Sequence, residues 1–524
     1  MTKRTPYIYM LGSIILMMFS AYNMTGDEVH AAPSYGKGYL LASNKAALPQ
    51  ILSGSDKKYY KAIFAAQKEG DWETADSEMG KLSNPLLLGY VLADRYLHDD
   101  YITSPQELSD WLAIYADHPQ ASRILALAKR KGASVKNANK ISKSRTLSGY
   151  GDDNGLAASF QKSPYFTTWN KGISAWRKGD KTAAAELFSD LLNKKNLPRW
   201  KVAAAAYWCH RSYAAIGNNE KADKCLHIAA KEPRSFYGVI ARKQLGQSLE
   251  LDDNAPALTQ DDIDTLAEQN AVQRIIALVQ VQQRELADKE LRAAFPQASQ
   301  AERMLLLSLA HELHLASTQI PMAKHLANNE RRLDFARYPI PQWQPENGFT
   351  VDRALLYALV RQESGFRSSA KSRSGAAGLM QIMPKTASYM KKRMVGYDES
   401  LPNNDPRFNL ALGQTYVQYL LENPLVEDNM LYMLTAYNAG PGRLMQWKKT
   451  IDYHNDPLLF VESIPFAETR NYVMQVMTNY WIYSELAGNG TASTLAMISG
   501  EWPDYTTHAA PVTLGALEEH NNAS

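Results

Sequence analysis

From about Lys57 to about Arg332 the chain repeats one theme, and that theme limits what it can fold into. Apolar-periodic stretches of roughly 10–18 residues, rich in Ala and Leu, alternate with short turns bearing Gly, Asn, Asp or Pro. Two turns are near copies: KEGDWETADSEM at Lys68–Met79 and RKGDKTAAAELF at Arg177–Phe188 both place Gly-Asp between an outgoing helix and an alanine-bearing incoming one. AIGNNEKADKCL at Ala215–Leu226 is a looser third copy. A helical hairpin cannot bury both faces alone, so successive hairpins must stack on neighbours. The spacing is too irregular for a strict tetratricopeptide array. The expectation is a mainly α fold, an α-superhelical solenoid of diverged hairpins.

Composition removes several alternatives. With 45% hydrophobic and 21% charged residues the chain can bury a sizeable core. Lys+Arg number 57 against 54 Asp+Glu, a formal charge of +3, so no whole-chain field points to nucleic acid as a partner. The two cysteines, Cys209 and Cys225, cannot build a disulfide framework or a four-cysteine zinc site. They fall on the two helices flanking Gly217-Asn218-Asn219, at similar height by helical rise. A disulfide between them and a pair of buried free thiols are both compatible with that placement.

The N-terminus points to export. Lys3 and Arg4 precede the uncharged run from Thr5 to Gly26, and Val29-His30-Ala31 supplies small residues at a cleavage spacing. Residues 1–31 read as a signal peptide and the destination as the periplasm; an uncleaved anchor is the other reading, since the run is just long enough to cross a bilayer. Residues 32–335 form the helical region. Within it, 134–160 is a Ser/Gly/Asn/Lys-rich stretch containing Lys136, Lys140, Lys143 and Arg145, which reads as a solvated loop. ARYPIPQWQPENGF at Ala336–Phe349 carries Pro339, Pro341 and Pro345 and serves as a linker. Residues 350–487 form a second domain, and 488–524, polar and without periodicity, read as a mobile tail or a loosely packed strap.

The chemistry concentrates in the second domain. A helix with Thr350 as N-cap and Asp352 in its first turn should run to Gly365, placing Glu363 in its last turn. There the helix macrodipole and apolar neighbours both disfavour a charged carboxylate. The pKa of such a group should rise from about 4.3 towards about 6–7, the range a general acid needs. Next comes GAAGLMQIMP at Gly375–Pro384, in which the glycines permit close backbone approach, Gln381 both donates and accepts, and Met380 and Met383 offer adaptable apolar surface. AYNAGPGR at Ala436–Arg443 ends a helix at Tyr437 and Asn438, and IPFAETRNYV at Ile464–Val473 opens the last long helix with Glu468.

Taken singly these blocks are weak; the four in this order resemble the soluble lytic transglycosylases, the large periplasmic type with an α-superhelical region before a lysozyme-like catalytic domain. RSFYG at Arg234–Gly238 adds a weaker likeness. The resemblance implies cleavage of the β-1,4 bond between N-acetylmuramic acid and N-acetylglucosamine in peptidoglycan glycan strands, with closure of a 1,6-anhydro ring. Glu363 would be the single general acid and base. Ser364, Gly378, Met380, Gln381, Met383, Tyr437 and Asn438 would line the cleft, with Tyr437 near the acid. Glu468 would contact the cleft or a stem peptide, or serve as a helix N-terminal charge. The scheme is substrate-assisted and needs no second carboxylate, so Asp405, Asp452 and Glu468 are not assigned as nucleophiles. No cofactor and no metal are expected: His311 and His314 stand at i,i+3, not the i,i+4 of a zincin helix, and no phosphate loop is present. Trp447 is the aromatic best placed to stack on a sugar face, and the helical region offers surface for cell-wall enzyme partners. Two other readings remain, a non-catalytic peptidoglycan-binding scaffold and a muramidase that uses water.

Overall fold

The computed structural model describes residues 47–135, 141, 146–149, 160–327, 332–394, 396, 401–490 and 492–505. The signal segment 1–31 and the lysines and arginine of the 134–160 stretch fall outside the described residues. Among those described there are 24 α-helices and no strand, only isolated bridges. No helix among them is long and apolar enough to cross a membrane.

The repeated turns share one construction. Gly70, Gly179 and Gly217 each take φ between 72° and 82°, the left-handed value that closes a helix C-terminus at little cost only for glycine. The next residue caps the incoming helix. Asp71 accepts from the Thr74 amide, Asp180 from Ala183 and Asn218 from Lys221. Gly-Asp, or Gly-Asn in the third copy, therefore ends one helix and starts the next in two residues, folding Gly54–Lys68 onto Trp72–Met79, Phe166–Arg177 onto Lys181–Leu192, and Arg199–Ala215 onto Asn219–Ala229. Cys209 and Cys225 are bonded across the third hairpin, with their Cα atoms 5.9 Å apart.

The hairpins do not stack in simple chain order. Residues 52–91 share a core with 258–336, and Gln280 ties Pro49 and Leu52 to that later segment. Residues 160–249 share a core with 350–505. The last part of the chain is thus seated on the middle of the helical region. RSFYG builds this seam: Phe236 stacks on Trp481 at 5.2 Å, and the Tyr237 hydroxyl donates to Glu462 at 2.8 Å. A Cβ on Gly238 would lie 1.9 Å from the Glu232 carbonyl oxygen, so no larger residue fits there. Arg211 pairs with Asp456 at 2.8 Å and Lys243 with Glu485 at 2.6 Å.

Three boundaries differ from the sequence reading. Ala336 and Arg337 belong to a short helix, Asp334–Arg337, so the irregular connection begins at Tyr338. The N-cap of the next helix is Asp352, not Thr350: its side chain accepts from the Ala354 amide, and Thr350 instead donates its own amide to Gln414. The segment after Gly488 is not loose through 505. Ala492–Ser499 is a helix, Trp481 donates to Ser493, and Trp502 packs among Tyr432, Tyr453 and Phe460.

Candidate active site

Glu363 ends the helix Arg353–Glu363, whose residues 354–360 are all buried. A helix apolar on every side sits inside the domain, and this one packs against Ala467–Leu486. Gly365 and Phe366 follow with φ of 56° and 66°, turning the chain sharply away so that the acid stands at the helix end. The carboxyl group is half-buried. Desolvation pushes its pKa up to about 7; the hydrogen bond from the Tyr472 hydroxyl, at 2.7 Å, holds the rise back, and the like charge of Glu468 adds to it. Glu468 and Tyr472 lie four residues apart on Ala467–Leu486, one turn of the same helix face.

The four blocks meet here. The Tyr437 ring lies over Tyr472 with centroids 6.4 Å apart, and its hydroxyl donates to the Met380 carbonyl at 2.9 Å. Burial and the neighbouring Glu363 hold both phenols well above their usual range, so they act as neutral donors. Asn438, exposed at the end of Met430–Ala439, accepts from Thr469 at 2.7 Å and so joins the third block to the fourth. Gly440 ends that helix at φ 88°, and Pro441 begins the next.

The 375–384 loop is held from below by a residue the motifs did not indicate. Asn409, fully buried, accepts the Met380 amide at 2.8 Å and donates to the Ala377 carbonyl at 3.1 Å. Gly378 has φ +80°, and a Cβ there would lie 2.3 Å from the Asn409 amide nitrogen, so the glycine is required twice over. Gln381 takes φ 47° and donates to the Ala370 and Gly378 carbonyls, fixing the loop's shape.

The expected cleft residues therefore divide. Met383, Asn438 and Glu468 are exposed, while Gln381 and Tyr437 are half-buried. Ser364 is buried and donates to the Val360 carbonyl; Met380 is buried with its sulfur against Gly413, and Gly378 is buried beside Asn409. These three shape the site from inside instead of facing a ligand with their side chains. Trp447 is 3% exposed and packs edge-on against Phe466, so it offers no face to a sugar. Phe466, 45% exposed with the Arg443 guanidinium over its ring, is the aromatic at the surface. Tyr472, the partner of the acid, was not singled out from the sequence. Its signal was the i,i+4 spacing from Glu468 inside the fourth block.

Residues 343–457 match the family described as Transglycosylase SLT domain, and residues 463–491 match the Soluble lytic transglycosylase helical domain. The second match falls on the helix that carries Tyr472. The chain is 31% identical over 302 residues to the soluble lytic murein transglycosylase of Salmonella typhimurium, a stretch that is 56% of this chain and 45% of that protein. It is 30% identical over 302 residues to the Escherichia coli protein of the same name, with the same coverage. The match thus spans less than half the length of these relatives. The crystal structure of the 70 kDa soluble lytic transglycosylase of Escherichia coli superimposes with a TM-score of 0.59 at 18% identity, covering 86% of this chain and 99% of that one, which shows the shared fold. On these matches residues 343–457 form a transglycosylase SLT domain, and the chain is similar to the soluble lytic murein transglycosylases in sequence and in fold.

Proposed function

We propose that the protein is a periplasmic lytic transglycosylase that cleaves the β-1,4 MurNAc–GlcNAc bond of peptidoglycan and leaves a 1,6-anhydromuramoyl end, with Glu363 as the single general acid and base. The observation that carries this reading is the Glu363 carboxyl: half-buried, held by the Tyr472 hydroxyl and raised to about 7, it is protonated often enough near neutral pH to give up a proton. The proton goes to the leaving glycosidic oxygen. The resulting carboxylate, steadied by Tyr472, then takes the proton of the muramoyl C6 hydroxyl as that oxygen attacks C1. The substrate's own acetamido group stabilises the positive centre between the two steps.

The surrounding carboxylates support a scheme with one acid. Asp405 is engaged as N-cap of Pro406–Leu421, accepting from Arg407 and Phe408. Asp452 lies at the seam beside His454, at 3.2 Å. Glu468 faces the acid as a like charge and serves to keep Glu363 protonated.

Digestion of purified sacculi tests the proposal. The expected fragments carry sugar ends one water lighter than hydrolysis would give, and Glu363→Gln releases none. Fragments with hydrolysed ends would assign a water-using muramidase, and an active Glu363→Gln enzyme would remove the acid from its role.

A further inference from the structure

The seam between the helical region and the catalytic domain holds a second polar site, separate from Glu363. Lys201, on Arg199–Ala215, is 4% exposed, and Glu462, on Pro457–Ser463, is 5% exposed. Both line the same hollow together with Trp200, Asn471 and Met474, and its larger chamber has a volume of about 100 Å³. No hydrogen bond or ion pair joins the two charges. Lys201 lies against the Trp169 ring at 3.1 Å and near Phe160 at 4.8 Å, contacts that hold an ammonium without accepting its N–H groups in the plane a carboxylate would. Glu462 accepts one hydrogen bond, from Tyr237, which leaves its other oxygen free to accept. The Trp200 indole N–H is buried with no partner at all.

A buried ammonium and a buried carboxylate, unjoined and lining one hollow, are costly unless something polar bridges them. We propose that this cavity binds a free amino acid, its carboxylate on the Lys201 ammonium and its ammonium on Glu462. The apolar wall formed by Met474 and the aromatic rings then faces the side chain. The site lies one helix face away from the acid: Asn471 and Met474 line it from the same helix that presents Glu468 and Tyr472 to Glu363.

The charge state of the lysine supplies a readout that packing alone would not. Burial pushes its pKa down to about 7, with Glu462 pulling it up and Arg470 pushing it further down. A bound carboxylate favours the charged form, so affinity falls as pH rises through about 7.

Calorimetric titration of the full chain with alanine, propionate and ethylamine tests the site. Alanine is expected to bind at millimolar concentration, propionate more weakly, and ethylamine not at all. Lys201→Met, which replaces a buried cation by an apolar side chain of similar length, should weaken alanine binding at least tenfold without lowering the thermal midpoint. Absence of alanine binding in the wild type, or binding that Lys201→Met and a rise from pH 6 to pH 8 leave unchanged, would overturn the proposal. Equal affinity for propionate would overturn the role given to Glu462.

Discussion

Two glutamates in this molecule each accept a hydrogen bond from a tyrosine hydroxyl, the buried Glu290 from Tyr90 in the helical region and the half-buried Glu363 from Tyr472 in the second domain. Their further neighbours are opposite. Glu290 is 2% exposed and paired with the Arg274 guanidinium at 2.5 Å, whereas Glu363 meets no cation among the described residues and faces Glu468. Burial raises both carboxyl groups; at Glu290 the guanidinium offsets part of that rise without reversing it. A cation at the third position pairs with the buried carboxyl and ties two helices together. A like charge there makes it a proton carrier.

The comparison can be broken from either side. The largest effect belongs to Glu363→Gln, which should cut muropeptide release by about 10³-fold or more, since an amide can neither give nor take the proton. A loss of under about tenfold would mean another group does this work. Next in size is Arg274→Met, which strands Glu290 as an uncompensated buried charge and should lower unfolding stability by about 3–5 kcal/mol. Urea unfolding measures this, and a loss under about 1 kcal/mol would show that the guanidinium is not what holds that carboxyl.

Glu363→Gln should have a smaller and opposite effect on stability, with a defined pH window. The folded pKa of about 7 lies above the ordinary value of about 4.5, so the native state binds the extra proton between those values. Stability from this group is full below about 4.5 and is lost as pH rises through about 7. The variant should therefore match the wild type in acid and equal or exceed it above neutrality; a variant less stable at pH 8 than at pH 5, relative to wild type, would contradict the assignment. The smallest effects are two opposed shifts of the pH limb above which activity falls. Glu468→Gln removes the like charge and should move that limb to lower pH. Tyr472→Phe removes the bond to the carboxylate and should move it to higher pH. Shifts in the same direction would show that the two neighbours do not act as described.

What could be read from the sequence was local. Gly70-Asp71 and Gly179-Asp180 announce their turns because a left-handed glycine and a capping carboxylate act within a few residues of themselves. The raised carboxyl of Glu363 follows from its place at a helix end among apolar neighbours, and Tyr437 was expected near it. The supports that act across the chain were not legible. Asn409 reaches the 375–384 loop from a helix some distance further along, and nothing in its own surroundings marks it. Trp447 looked available because it lies beyond the AYNAG block, but only the fold shows that Phe466 covers it. Lys201 sits in an alanine-rich helix where a lysine ordinarily reaches solvent; its burial arises from the catalytic domain docking on top. The packing of 492–505 depends on aromatic partners scattered from Tyr432 to Trp481, a pattern without periodicity in the segment itself.

The last described residue carries a consequence for anyone shortening this protein. The Tyr505 hydroxyl accepts the backbone N–H of Asp352 at 2.9 Å, and Tyr480 donates to the Asp352 side chain. A fragment trimmed to the four motif blocks would keep the acid and all its immediate neighbours, yet lose the clasp on the far end of the rod that aims it.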